Sequence, residues 1–346
     1  MNDLKYLTSY LVPASLVAAI YYQGMWSWAT VILVYVLVPI TEPLFPNSSV
    51  NLSQPDRDKR LRSVAFDWLL YLNVPILYGL LYYFLLTLAT TSLGLYEIVG
   101  LVFSMGIVIG SCGINVGHEL GHRVNKTERL LAKLLLLPAF YMHFYIEHNW
   151  GHHKHVATDQ DPASAKAGEV LFLFWVRSVL GSYLSAWRIQ LSLLSEKKKS
   201  FWSISNQMCI FSFVQFLFLS LIYLKFGFLI TVLALAAALV GVLLLETINY
   251  LEHYGLRRKK LDGNRYERVS PIHSWNANYE LGRIMLYELT RHSDHHYLAS
   301  KKYQLLDHHD ESPELPFGYP TAIVIAMIPP LWFYIMNKRL SKINVG

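Results

Sequence analysis

Ten of the fourteen histidines in this chain fall into three short clusters and one further position near a helix end. His118-Glu-Leu-Gly-His122 is the first cluster. His148-Asn-Trp-Gly-His152-His153 is the second, with His155 just beyond it. His253 stands alone in Asn249-Tyr-Leu-Glu-His-Tyr-Gly255, and His292-Ser-Asp-His295-His296 closes the set. Imidazole nitrogen is a ligand for iron, copper, nickel and zinc. Spacings of three or four residues put side chains on one helical face, about 5–6 Å apart, so one helix can supply two ligands to a single metal. A lone histidine is ordinarily a surface or satisfied core residue. That reading suits His155, and also His308 and His309 in a polar, acidic loop. It does not account for three separate helix-spaced groups.

The first cluster also fits H-E-x-x-H, the zinc-protease pattern in which the glutamate, here Glu119, is the general base. Such a site would need a carboxylate ligand elsewhere, and Asp262 lies in a polar loop after a basic run. One catalytic zinc takes three protein ligands and keeps an open position, which leaves most of the clustered histidines unused. About nine imidazoles suit two metals with four or five ligands each. A redox metal with an open position facing an apolar channel is a site for O2 activation. The electrons must come from outside the chain. Cys112 and Cys209 are its two cysteines, too few for an iron–sulfur site, a four-cysteine zinc site or a disulfide framework. No G-x-G-x-x-G follows a strand, so no flavin or nicotinamide module is present.

The elements that must carry these residues are membrane spans. Of 346 residues, 53% are apolar and 16% charged, against roughly 25% charged in soluble domains. Mean hydropathy is nevertheless only +0.30, so about half of the chain should face water. Runs long enough to cross a bilayer lie at about 6–22, 25–45, 66–89, 95–117, 207–224 and 227–250. The first is read as a span and not a signal peptide, because no A-x-A-like cleavage site follows and a second span begins after Gln23-Gly24. The fold class expected is all-α integral membrane: one polytopic domain over 1–346, with six transmembrane helices and a His-rich helical cap from 118–206 and 251–346. Residues 128–147, interrupted by Pro138 and His143, and 320–336, interrupted by Pro329-Pro330, read as interfacial helices.

With six spans, the only Lys or Arg on the face opposite the cap is Lys225. The positive-inside rule then puts both termini and the cap in the cytosol. The net charge of +6 is therefore a one-sided membrane charge and not a nucleic-acid-binding stripe. The runs at 196–199 and 257–260 read as juxtamembrane anchors near anionic headgroups.

The clusters H-x3-H, H-x3-HH and H-x2-HH resemble those of the membrane di-iron superfamily of hydroxylases and desaturases. The wider motifs narrow this. Asn115-Val-Gly-His-Glu-Leu-Gly-His122, Glu147-His-Asn-Trp-Gly-His-His153 with Ala157-Thr158 and Asp161-Pro162, the His253 motif, and Arg291-His-Ser-Asp-His-His296 with Tyr303-Gln304 are similar to those of the AlkB-type alkane 1-monooxygenases. His273-Ser-Trp-Asn-Ala-Asn278 and Leu315-Pro-Phe-Gly-Tyr-Pro320 match as well, and the likeness runs over about 61–332. Departures are small: Trp150 stands where a polar residue is usual, and Arg123 where Lys is common.

The resemblance implies six helices and a bacterial inner-membrane enzyme. Two iron ions would be held by His118, His122, His148, His152, His153, His253, His292, His295 and His296. The reaction implied is terminal hydroxylation of medium- or long-chain n-alkanes with O2 and electrons from rubredoxin, itself reduced by a rubredoxin reductase. Rival readings are an aromatic-methyl hydroxylase, a lipid desaturase, the H-E-x-x-H zinc protease and a non-catalytic metal transporter. The last would need polar groups through the spans, where Glu246 is the main exception.

Further expectations follow from the chemistry. Metal-bound histidines commonly donate their second N–H to carboxylates, so Glu119, Glu147, Asp161, Glu252 and Asp294 are expected behind them. His273 is a second-layer or structural residue, and Glu246 should pair with Asn249 or with a histidine. An alkane enters from the bilayer, so an apolar channel should rise between the second, third, fourth and last spans. Val34, Tyr35, Gly106 and Gly110 are candidates for its width, close helix packing being the alternative for the glycines. Arg257, Arg258, Lys259, Lys260, Lys301 and Lys302 are candidates for steering an acidic rubredoxin.

Overall fold

A computed structural model describes residues 3–263 and 265–343. Among them the chain is helical, with β contacts confined to isolated bridges such as Asn47 to Tyr279. Helices α1 (Asp3–Tyr22) and α2 (Gly24–Leu44) form the expected hairpin. Gln23 and Gly24 both sit at φ +54, a conformation that glycine adopts without a Cβ clash. A short polar helix, α3 (Gln54–Arg62), is capped at its start by the Ser53 hydroxyl. Next come α4 (Ala65–Thr90) and α5 (Leu95–Gly121). Glu97 at the start of α5 accepts from the N–H of Gly94 and of Gly24, each at 2.7 Å. One carboxylate thus caps α5 and ties it to the α1–α2 turn.

The segment read as one interfacial helix over 128–147 is broken. Helix α6 (Lys126–Leu136) ends at Pro138, and Phe140 turns left-handed at φ +52. The chain then enters α7, a helical run made of Phe144–Glu147, His148–His152 and His153–His155. Helix α8 (Leu171–Glu196) was not anticipated from the sequence. It buries Phe174, Ser178, Ser182, Ala186, Gln190 and Leu194, every fourth residue, against the bundle.

Helix α9 (Gln207–His253) runs through both stretches expected as separate spans, 207–224 and 227–250. At 1.5 Å per residue a straight helix of this length would run about 70 Å, more than twice the hydrocarbon thickness. It does not run straight. Gly227 takes φ +81, ψ 178, and the chain reverses there. The first limb descends beside α4, with Phe218 against Tyr78 and Lys225 against Tyr82. The second rises beside α5, with Val240 against Gly106 and Leu244 against Gly110. Five helices among the described residues are long and apolar enough to cross a membrane: α1, α2, α4, α5 and α9. They turn Ile32, Val36, Tyr82, Phe213, Phe216, Leu221 and Phe228 outward, an apolar exterior too large for water. The chain is a multi-pass membrane protein. Helix α5 is its axis, with 72% of its apolar stretch buried against 17% for α2.

The C-terminal region adds α10 (Glu280–Met285), α11 (His292–Tyr297), α12 (Tyr319–Ala326) and α13 (Pro329–Ile343). The stretch expected as a single interfacial anchor, 320–336, is therefore two helices. Trp332 of α13 is buried against Tyr250 and Tyr254 of α9. The first turn of α1 reaches the same end of the bundle. Tyr6 donates to Glu288 at 2.6 Å, and the Arg283 guanidinium holds the other carboxylate oxygen at 2.6 Å.

Candidate metal centre

Four elements deliver the nine clustered histidines, and two of them do so through wide helical turns. Helix α5 passes through a π-helical stretch, Ile109–Asn115, before presenting His118 and His122. His148–His152 in α7 is π-helical as well. In an ordinary α-helix residue i+5 lies about 140° round from i. Widening the turn brings His153 back beside His148 and moves His152 to the flank. Such turns are frequent at functional sites.

The nine imidazoles converge in two groups: His118, His122, His148, His153 and His295 in one, His152, His253, His292 and His296 in the other. Helices α7 and α11 feed both groups, whereas α5 serves only the first and α9 only the second. The expectation that one helix can bring two histidines three or four apart into a single donor group is met by His118 with His122 and by His292 with His296. It fails for His148 with His152 and for His292 with His295, which are divided between the groups.

The Nε2 atoms face inward. His118 and His295 approach to 2.9 Å, His148 lies 3.0 Å from both His122 and His153, and His153 and His295 are 3.1 Å apart. In the second group the distances are 3.2 Å for His152–His296 and for His292–His253. Two nitrogens bound about 2.1 Å from one cation at right angles stand about 3 Å apart, so the spacing fits a metal ion in each group. Burial first, and neighbouring imidazoles second, hold His148, His153, His292, His295 and His296 well below the ordinary histidine range. Neutral rings with convergent lone pairs are what a metal requires. His152 differs: burial opposes its charge most strongly, but the carboxylates of Asp161, Glu147 and Glu246 together raise it.

The five carboxylates expected behind the ligands part ways. Asp161 Oδ2 lies 2.9 Å from His152 Nδ1, as expected. Glu252 approaches His292 at Nε2, 3.1 Å away, on the inward-facing atom instead of the outer one. Glu119 faces away from the histidines, pairs with Arg123 at 2.9 Å and accepts from the Tyr303 N–H at 3.1 Å. That removes it as a general base and with it the zinc-protease reading. Asp294 holds Lys301 at 2.6 Å and His309 at 2.8 Å. Glu147 takes a hydrogen bond from Ser185 at 3.3 Å, and burial pushes its carboxyl above the ordinary range. Glu246 accepts from Tyr141 at 2.9 Å, from Ser178 and from Asn249, with no histidine in reach. The His273 ring is bonded to Ser270 and Glu267.

A string of apolar cavities leads to the site. The outermost, about 330 Å³, lies among Trp28, Tyr35, Phe103, Trp175, Leu244 and Ile323. It continues into one of about 60 Å³ that shares Tyr35, Ile107, Leu244 and Ile323 with it and adds Val34 and Gly110. The last, about 30 Å³, shares Gly110, Asn115, Leu244 and Ile248 and ends on His118, His148, His292 and Glu252. Val34, Tyr35 and Gly110 thus line the passage. Gly106 does not: a Cβ there would sit 2.4 Å from Val240 Cβ, so it serves helix packing. The third span, α4, lines none of these cavities, and its place is taken by α12 through Ile323.

Among the six candidate docking cations, Arg257, Lys259 and Lys260 are exposed. Arg258 bonds the carbonyls of Lys154 and Glu267. Lys301 is held by Asp294 and Asp307, and Lys302 by Asp67, so these two brace the cap. Trp150 is exposed and Arg123 joins the Glu119–Asp67 pairs. Sequence reasoning missed Tyr319, whose hydroxyl donates to Glu252 at 2.7 Å. Tyr319 lies in the Leu315–Pro320 motif, which carried a likeness but no role.

Comparison with known proteins gives consistent results. The profile of the fatty acid desaturase family matches residues 95–323. The chain is 36% identical over 327 residues to alkane 1-monooxygenase 2 of Pseudomonas aeruginosa, covering 94% of this chain and 87% of the relative. It is 37% identical over 311 residues to alkane 1-monooxygenase of Acinetobacter baylyi, covering 90% and 76%. A more distant relative, at 26% over 341 residues, is the xylene/toluene monooxygenase hydroxylase component XylM of Pseudomonas putida, with coverage of 98% and 89%.

Proposed function

From the premise that this chain belongs to the alkane 1-monooxygenases of the fatty acid desaturase family, we propose that it hydroxylates the terminal methyl of medium- or long-chain n-alkanes. The observation that carries this reading is the apolar passage ending on two groups of convergent histidines. The overall change is R–CH3 + O2 + 2 e⁻ + 2 H⁺ → R–CH2OH + H2O. Two irons, held by the five-histidine and four-histidine groups, would supply O2 activation and removal of a hydrogen from an unactivated methyl.

The protein's own contribution is positional. Tyr35, Leu244 and Ile323 form an apolar wall along which an extended chain slides from the bilayer. Gly110 leaves the gap through which its end reaches His118 and His292, and Phe144 and Leu289 help keep water from that end. Asp161 fixes the ring of His152 so that Nε2 points inward. The narrow inner cavities favour a linear chain over an aromatic ring, and so an alkane over a xylene.

In this reading both limbs of α9 cross, giving six spans in one domain of a bacterial inner membrane, with the termini and the histidine cap in the cytosol. Rubredoxin, reduced by its reductase, is the donor, and Arg257, Lys259 and Lys260 face it. The test is to feed n-octane, n-hexadecane and p-xylene to a host expressing the chain with rubredoxin and rubredoxin reductase. Expected products are 1-alkanols. Formation of methylbenzyl alcohol alone, or of alkenes, would replace this reading with a sister activity.

A further inference from the structure

We propose that Asn249, held in place by Glu246, and Asn115 on the facing helix bind the hydroxyl of the 1-alkanol product at the inner end of the apolar passage. The proposal rests on the alkane-hydroxylating reading above.

Register is the first argument. Helix α5 and the second limb of α9 run side by side in the same direction, with Gly106 against Val240 and Gly110 against Leu244. Five residues further along each helix, by way of the π-helical stretch in α5, stand Asn115 and Asn249. The seam that small residues close at Gly106 therefore ends between two carboxamides. Both line the terminal cavity, together with His118, His148 and His292.

Orientation is the second argument. An asparagine side chain has two N–H donors and one carbonyl acceptor. Asn115 donates to the Leu286 carbonyl at 3.2 Å, and Asn249 donates to Glu246 Oε2 at 3.3 Å. Each partner is an acceptor, so the nitrogen is the end turned toward it and the carbonyl oxygen the end turned away. Among the described residues neither Oδ1 accepts a hydrogen bond from the protein, and neither is sealed in the interior, as the unpaired Oδ1 atoms of Asn73 and Asn278 are. The space the two oxygens meet is the terminal cavity. Glu246 is the brace for one of them. Its carboxylate also accepts from Tyr141 and Ser178, and it lines none of the three cavities of the passage. It acts on the site through Asn249 and is a positioning residue.

Chemistry is the third argument. The end of an n-alkane has nothing to hydrogen-bond, whereas its product carries a hydroxyl at the same place. The rest of the cavity offers that hydroxyl little. Phe144, Leu245, Ile248 and Leu289 are apolar, and the Glu252 oxygens are engaged by Tyr319 and His292. A buried hydroxyl without a partner is costly. Room for one exists, since the cavity holds about 30 Å³ and a water-sized group needs roughly 10–15 Å³ of such space. The hydroxyl donates to an asparagine carbonyl, a contact that exists only once the oxygen is in place. The two amides thus favour an alkanol over an alkane of equal length.

The test follows n-octane hydroxylation by purified, iron-loaded chain with rubredoxin and its reductase, in the presence of added 1-octanol. The readout is the inhibition constant of 1-octanol divided by KM for n-octane. Loss of one neutral hydrogen bond weakens binding by about 3–10-fold, so Asn249→Leu should raise the ratio by that factor. Asn115→Leu and Glu246→Gln should raise it by less. A second measurement needs no turnover: 1-octanol should raise the melting temperature of the chain more than n-nonane, which has the same length, and Asn249→Leu should abolish the difference. An unchanged ratio in Asn249→Leu would overturn the proposal, as would inhibition constant and KM rising in proportion, the mark of a merely structural role. Should Asn249→Leu fail to accumulate, Asn249→Ala and Asn115→Leu decide, and unchanged ratios in both overturn it. An unaltered holoenzyme that leaves n-octane untouched would instead bring down the alkane reading itself.

Discussion

Asp161 reaches its histidine from a loop, and three contacts fix it there. Its carboxylate takes hydrogen bonds from Ser164 and from the Ala163 N–H at 3.0 Å while facing His152 Nδ1 at 2.9 Å. Asp161→Asn replaces the acceptor facing the ring with an amide that can present a donor, so His152 loses the partner that sets its tautomer. Loss of such a partner weakens metal binding by about 10–100-fold, and chelator titration of iron should show it. Glu119 is the contrasting case. Glu119→Gln should leave iron content and hydroxylation intact while lowering the melting temperature, because a buried partner of Arg123 is weakened. A zinc protease would lose activity outright with that change. The difference between these carboxylates was not legible in the sequence, for a geometric reason. A helical neighbour of a ligand points about 100° away from it, which carries Glu119, Glu147 and Asp294 off the metal side. Asp161 escapes the rule because it is not helical. Glu252 escapes it because α11 brings His292 round to its side of α9, a contact between residues that no local spacing records.

At the scale of elements, the clearest constraint is the seam between α5 and α9. A Cβ on Gly106 would meet Val240 Cβ at 2.4 Å and the Ala237 carbonyl at 2.8 Å, and one on Gly241 would meet Ile109 Cγ2 at 2.8 Å. The helices touch backbone to side chain there, as small residues permit in membranes. Gly106→Ala must push them apart, and overpacking of this kind costs about 1–3 kcal/mol. Gly79 of α4 is the matched control, with nothing within 4 Å of its would-be Cβ; Gly79→Ala should be neutral or slightly stabilising. Thermal unfolding in detergent separates the two, and equal melting temperatures would count against the seam. The apolar runs were readable as spans because hydrocarbon thickness sets their length. The π-helical turns in α5 and α7 were not, since nothing in residue type distinguishes a turn widened by one residue. Helix α8 escaped notice because its buried stripe alternates Phe174 and Ala186 with Ser178, Ser182 and Gln190, which reads as polar until Glu246 and the bundle are placed against it.

Over the whole molecule, the routes proposed for substrate and for electrons reach the centre from different sides. The cavities open among Phe103, Val324 and Met327 on the apolar exterior. Of the nine histidines, His122 and His153 alone are not fully buried, and both belong to the five-histidine group. His153 adjoins Lys154, whose carbonyl is held by Arg258, so the loop carrying Arg257, Lys259 and Lys260 flanks the edge where the centre comes nearest to water. An acidic donor drawn to those cations would arrive over His153. Lys301 and Lys302 offer no such attraction, since Asp294, Asp307 and Asp67 neutralise them. Replacing Arg257, Lys259 and Lys260 together by serine should therefore raise KM for rubredoxin several-fold and leave kcat at saturating donor unchanged. Surface steering is screened within about 10 Å at 0.1 M salt, so the unaltered enzyme should slow as ionic strength rises and the triple variant should respond much less. Lys301→Ser should do the reverse, lowering the melting temperature while keeping the full salt response. An unaltered enzyme indifferent to salt would mean that the donor docks by apolar contact elsewhere on the cap.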